Sequence, residues 1–150
     1  MPQINRKRLL LAALALAAAA WTYSNSLIGV DESVITAYRT LQQRVEAAGH
    51  RPGFFVFSGR RYWLDNLLLT AFGASPNSRH LHGNAIDIIV LDVNGDGTAD
   101  AQDVDLVHRI LDREIIADRG GLGTYKNEWG FLRRQMVHFD LRGRRARWNR

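Results

Sequence analysis

The chain has no cysteine in its 150 residues, which excludes disulfides and also a lipid-modified N-terminal cysteine. A protein with no cross-links has to draw stability from a packed core and from what it binds. It also lacks an apolar run of membrane-spanning length. The longest, Leu9 to Trp21, covers thirteen residues, whereas a transmembrane helix needs about 20. There is no internal repeat, and low complexity is confined to the Ala-rich start. No recognisable nucleic-acid-binding motif occurs, so no nucleic-acid partner is expected. Acidic residues are outnumbered, 15 against 20 basic, for a formal charge of +5. Three of these charges are Arg6, Lys7 and Arg8, leaving +2 for the remainder.

That basic cluster, opened by Asn5, precedes the Leu9 to Trp21 run, the order of a secretory signal. Ala18-Ala19-Ala20 offers an A-x-A cleavage site. Trp21, Tyr23, Leu27 and Ile28 continue the apolar character, so a retained short anchor is the alternative. Either way the expectation is a leader over 1–27, one domain over 28–150, and an exported, periplasmic or cell-envelope monomer that meets a membrane only through its leader. The length left after the leader suits a single core. The end of the chain is crowded with arginine: Arg133, Arg134, Arg142, Arg144, Arg145, Arg147 and Arg150. This is either a solvated basic face or a surface for an anionic polymer.

Val34, Ala37, Tyr38, Leu41 and Val45 recur at helical spacing and predict a helix over 33–48, with Asp31 or Ser33 as N-cap and Gly49 as stop. Phe54 to Phe57 reads as a short buried strand. Tyr62 to Phe72 reads as a helix packed through Trp63, Leu67 and Leu68. Ala85 to Leu91 alternates too little for an exposed strand and predicts a central one. A helix follows from Ala101 to about Ile115, and Val137 to Leu141 predicts a further strand. The sum is a small α+β domain with an antiparallel sheet and flanking helices.

The chemistry concentrates in Ser78-Arg79-His80-Leu81-His82-Gly83-Asn84-Ala85-Ile86-Asp87 and, far downstream, Val137-His138-Phe139-Asp140. Two His and one Asp leave a tetrahedral zinc ion one open position, as a catalytic site requires. The pattern S-x-H-x-x-G-x-A-x-D followed by V-H-x-D resembles the zinc D-alanyl-D-alanine peptidase family, whose relatives include cell-wall endopeptidases, phage endolysins and the hedgehog signalling domain. The resemblance runs from about Phe54 to Trp148 and implies the same α+β fold. It implies that His80, Asp87 and His138 bind Zn2+. It further implies that Arg61, within Ser58-Gly59-Arg60-Arg61, contacts substrate, with Arg60 replacing the usual aromatic residue. Gly123-Thr124-Tyr125 and Arg142 to Trp148 resemble the family's closing region.

One departure stands out. Many relatives carry Glu or Asp three residues before the second His, as the base for zinc-bound water, and here that place is Gln135, whose amide cannot accept the proton. The candidates to replace it are His82, Glu128 and Asp140. His82, two residues from His80, would share its direction on an extended segment and so reach substrate or support the site. Asp140 shares a strand face with His138, and orienting that imidazole is its expected role.

A second motif runs from Asp92 to Asp103. Asp92, Asn94, Asp96, Asp100 and Asp103 occupy positions 1, 3, 5, 9 and 12 of an EF-hand-like loop, Gly97 is at position 6, and Thr98 offers its backbone carbonyl. Asp instead of Glu at the twelfth position resembles dockerin loops. Calcium is the expected ligand. The combined expectation is an exported zinc metallopeptidase that hydrolyses peptidoglycan stem or cross-link peptides through a zinc-activated water. The rival is a zinc-containing binding module that has lost hydrolysis with its acidic base.

Overall fold

A computed structural model describes residues 6–70, 75–127 and 134–149. The chain begins with helix α1 (Arg6–Ser24), followed by α2 (Glu32–Ala47). Strand β1 (Phe54–Ser58) leads to α3 (Trp63–Thr70) and a single 3-10 turn, Arg79–His82. Then come β2 (Ala85–Val90) and α4 (Ala101–Ile110), which widens into a π-helical turn over Leu111–Ile116. Strands β3 (Gly121–Asn127), β4 (Arg134–Asp140) and β5 (Ala146–Asn149) complete the fold. Among the described residues no helix is long and apolar enough to cross a membrane.

The five strands form one sheet in the order β1-β2-β4-β3-β5. Neighbours are antiparallel except β3 and β5, which are parallel. The sheet is therefore mixed where the sequence predicted an antiparallel one. The reason lies in the connection: the link after β4 reverses the chain, but β3 already occupies that side of β4, so β5 pairs beyond it in β3's own direction. β1 is an edge strand, and Phe55 is exposed; the apolar run from Phe54 predicted a buried one. Phe54 alone of its aromatic residues is fully buried, edge-on to Tyr38.

Strand alternation assigns two faces to the sheet. Ile86, Ile88 and Val90 of β2, Val137 and Phe139 of β4, and Leu122 of β3 face the helices and join one core with Val34, Leu41 and Val45 of α2 and Val104, Val107 and Leu111 of α4. The α2 stripe is buried as its spacing predicted. Asp31 makes no side-chain cap to α2 and instead accepts a hydrogen bond from Asn84. α3 departs from expectation, since Trp63 (71%) and Leu67 (56%) are largely exposed. The Leu68 side chain and Ala71 to Ala74 lie outside the described residues. What ties α3 down is polar: buried Asn66 donates to the carbonyls of Ser75 and Pro76.

The chain that follows α1 packs closely on the loops bearing the motifs. A side chain on Gly59 would overlap the Ser26 carbonyl, and one on Gly83 would overlap that of Gly29. The amide of Asp31 donates to the Gly83 carbonyl, and Tyr23 stacks on Tyr62 with ring centres 4.9 Å apart.

Among the described arginines near the end of the chain, Arg142, Arg145 and Arg147 are paired with carboxylates within the fold. Arg147 donates to Asp112 through Nε at 2.7 Å, and Arg145 donates to it through Nη2 at 3.1 Å. Both also reach the carbonyl of Ala117, whose φ of 45° is a rarely adopted conformation for a residue with a side chain. Burial pushes the Asp112 carboxyl up, but the hydrogen bonds and charges of Arg147 and Arg145 outweigh it and hold the group below its ordinary range. A carboxylate depressed in this way stabilises the fold above its unfolded pKa of about 3.9, and the contribution is lost as pH falls through the folded value. Asp112→Asn is expected to lower stability by about 1–2 kcal/mol at pH 7, the scale of a partly exposed charged hydrogen bond. Urea denaturation should show the gap between parent and variant narrowing at about pH 3, below that unfolded value.

Candidate metal centre

Register brings the two halves of the zinc motif together. Asp87 of β2 is paired with His138 of β4, and alternation aims both away from the helices. His80 joins them from the 3-10 turn, where the Ser78 hydroxyl accepts from the His80 amide. All three are buried, and one ligand atom from each lies within 4.8 Å of the others. His80 Nε2 is 3.3 Å from His138 Nδ1 and 3.3 Å from Asp87 Oδ1, and the third separation is 2.7 Å. Two donors on a tetrahedral zinc, each at about 2.0–2.1 Å from the ion, are about 3.3 Å apart. Two of the three separations fit.

The remaining atoms of the ligands are committed to holding these. The Gly59 carbonyl, which can only accept, lies 2.6 Å from His80 Nδ1, so that nitrogen carries the hydrogen and Nε2 is left bare. Asp140 Oδ2 is 3.1 Å from His138 Nε2 and fixes the complementary tautomer, with Nδ1 facing the cluster. The other oxygen of Asp87 accepts from Arg61, whose Nε donates to Ser58 at 2.8 Å. Burial pushes the Asp87 carboxyl up, yet His80 and His138 outweigh it and hold it well below the usual carboxylate range. Burial likewise pushes His138 down, but hydrogen bonds and charges from Asp140 and Asp87 leave it raised. One ionised carboxylate and two imidazoles with their outer nitrogens anchored suit zinc in donor type, number and orientation.

The candidate bases fare differently. Asp140 is fully buried and takes hydrogen bonds from His138, the Gly121 amide and both the backbone and side chain of Arg142. Burial pushes its carboxyl up, but Arg142 and His138 overcome this and keep it strongly depressed. These contacts hold an imidazole, as the shared strand face implied. His82 does not accompany His80: the segment is a 3-10 turn, not extended, and a step of two residues there leaves His82 exposed while His80 is buried. Glu128 lies outside the described residues.

Gln135 is not in the site. Three residues from His138 along a regular strand, it falls on the opposite face, paired with Lys126 of β3 on the helix side, nearly fully buried and with its Oε1 unpartnered. Gln135→Glu should not enhance hydrolysis and should instead destabilise by about 1–3 kcal/mol, the cost of an unsatisfied buried polar group, or more when charged. Chemical denaturation at pH 7 and pH 5 checks this, with the deficit expected to shrink at the lower pH as the buried carboxyl takes up a proton.

Around Asp92 the loop is ordered by its own amides. Asp92 accepts from Gly95 and Gly97, Asn94 from Asp96, and Asp96 from Thr98. Asp103 is fully buried, and its carboxylate takes the amides of Val93, Asn94 and Asp100. With Asp100 it forms a capping box on α4. Among the described residues His80, Asp87 and His138 are the only acidic or histidine group meeting metal-ligand spacing.

Some participants were invisible to residue-type reasoning. The Gly59 carbonyl and the Arg142 clamp on Asp140 were missed. So was Trp148, whose ring lies 5.2 Å from that of His138. A glycine inside a strand, Gly123, was the available signal: a side chain there would overlap the Trp148 indole.

No family model and no curated protein matches the chain. Among solved structures, the chain is similar to the L-Ala D-Glu endopeptidase ChiX of Serratia marcescens, at 22% identity over 81% of this chain and 86% of that one, with a TM-score of 0.49.

Proposed function

We propose that the protein is an exported zinc metallopeptidase acting on peptidoglycan stem or cross-link peptides. The observation that carries this reading is the convergence of His80 Nε2, Asp87 Oδ1 and His138 Nδ1, with the outer nitrogen of each imidazole held by an acceptor. Zinc bound there would supply Lewis acidity toward a carbonyl and lower the pKa of a coordinated water. The chain's own part is to fix the donors and receive the substrate. Arg61 holds Asp87 through one nitrogen of its guanidinium and Ser58 through another, and its remaining N–H groups can meet a substrate carbonyl or carboxylate. The alternative is a zinc-containing peptidoglycan-binding module without hydrolysis, favoured by the amide in place of a carboxylate at Gln135.

His80→Ala, Asp87→Ala and His138→Ala should each lose zinc and hydrolysis together, because an open three-ligand site does not survive the loss of a donor. Elemental analysis beside release of peptides from purified cell wall, with and without chelator, is the measurement. Full zinc content with normal turnover in His138→Ala would sink the assignment.

Calcium at the loop of Asp92, Asn94, Asp96, Thr98, Asp100 and Asp103 belongs to the same proposal. The supporting feature is that the loop's amides already fix Asp92, Asn94 and Asp96, while Asp103 can serve only by leaving its cap. Calcium at about a hundred times its dissociation constant should stabilise the fold by about 2.7 kcal/mol. Thermal melting across a calcium titration, with Asp92→Ala as control, is the test, and an unresponsive parent would leave the segment a capped acidic loop.

A further inference from the structure

On the metal side of the sheet, β3 presents Gly121, Gly123 and Tyr125 beside Asp140, His138 and Met136 of β4. The two glycines leave that floor bare, and Tyr125 is the first β3 side chain to rise from it. Trp148 of β5, paired with Gly123, lays its indole over the gap and reaches His138. Its Nε1 donates to the Tyr125 hydroxyl at 3.1 Å. An indole N–H only donates, so the phenol oxygen accepts here and its own hydrogen points elsewhere. No described residue accepts that hydrogen in the hydrogen bonds of the fold. The indole is itself fixed: the Arg142 guanidinium, clamped on Asp140, lies 5.3 Å from its ring centre.

We propose that Tyr125 is a substrate-binding hydroxyl of this metal site, donating to an oxygen of the ligand at the open coordination position, and that Trp148 is the positioning residue that aims it. The inference rests on the zinc peptidase reading for its substrate, but it also applies to any oxygen ligand of the bound metal. Acetohydroxamate is a suitable probe.

The experiment uses the full zinc-loaded chain, with acetohydroxamate affinity measured by calorimetry and kcat/KM measured on muropeptides. Tyr125→Phe should lower both about tenfold, the scale of one hydrogen bond, with zinc content and melting temperature unchanged. Trp148→Phe should lower hydroxamate affinity in the same direction, and the double variant should lose no more than Tyr125→Phe alone, since both changes cut one linkage. A Trp148 that only packs would lower the melting temperature and leave hydroxamate affinity intact, which would overturn its positioning role. Unchanged affinity and kcat/KM in Tyr125→Phe would overturn the assignment while leaving the peptidase reading in place. A parent that hydrolyses nothing, yet binds hydroxamate in a Tyr125-dependent way, would overturn the peptidase reading and uphold this one. A chain that takes up no zinc would overturn both.

Discussion

The pairing of β2 with β4 is the constraint on which the site depends. Asp87 and His138, 51 residues apart, become direct neighbours because Ile86 and Ile88 must face the same core as Val137 and Phe139. A slip of one residue would turn every one of those side chains to the other face. Apolar burial therefore sets the register, and the register sets the geometry of the ligands. The metal side of the sheet carries polar groups because the helix side holds the core.

Around His138 the contacts close on themselves. The imidazole leans on Asp140, Asp140 is clamped by Arg142, Arg142 lies over Trp148, and Trp148 faces the imidazole again. A buried carboxylate is costly alone, but here both of its oxygens are filled by donors. Such a ring fixes a ring orientation more tightly than a single hydrogen bond can, because moving any one member breaks two contacts.

Much of this was legible in the sequence for a definable reason. The helical stripe of α2 and the central position of β2 follow from short patterns of residue types whose spacing is itself geometric, whereas the grouping of His80, Asp87 and His138 came from the family resemblance of two distant segments. What failed were inferences that needed a neighbour. The edge position of β1 and the exposed Trp63 and Leu67 of α3 depend on what covers them, which Phe54 to Phe57 and the helical spacing of 62–72 do not state. His82 does not share the direction of His80 because a turn replaces the extended segment. Gln135 is more instructive. Motif spacing was taken as spatial proximity, whereas a three-residue step along a strand crosses to the opposite face.

The tight seating of Ser26 on Gly59 and of Gly29 on Gly83 bears on how the polypeptide can be divided. Gly59 gives the carbonyl that fixes His80, and Gly83 ends the turn carrying it. The stretch just after the apolar helix is thus the outer wall of the imidazole's support. A version trimmed at residue 28, where the apolar character fades, would strip the Ser26 half of that wall from Gly59 and leave the Gly29 half on Gly83. One trimmed near the alanines at 18–20 would keep both.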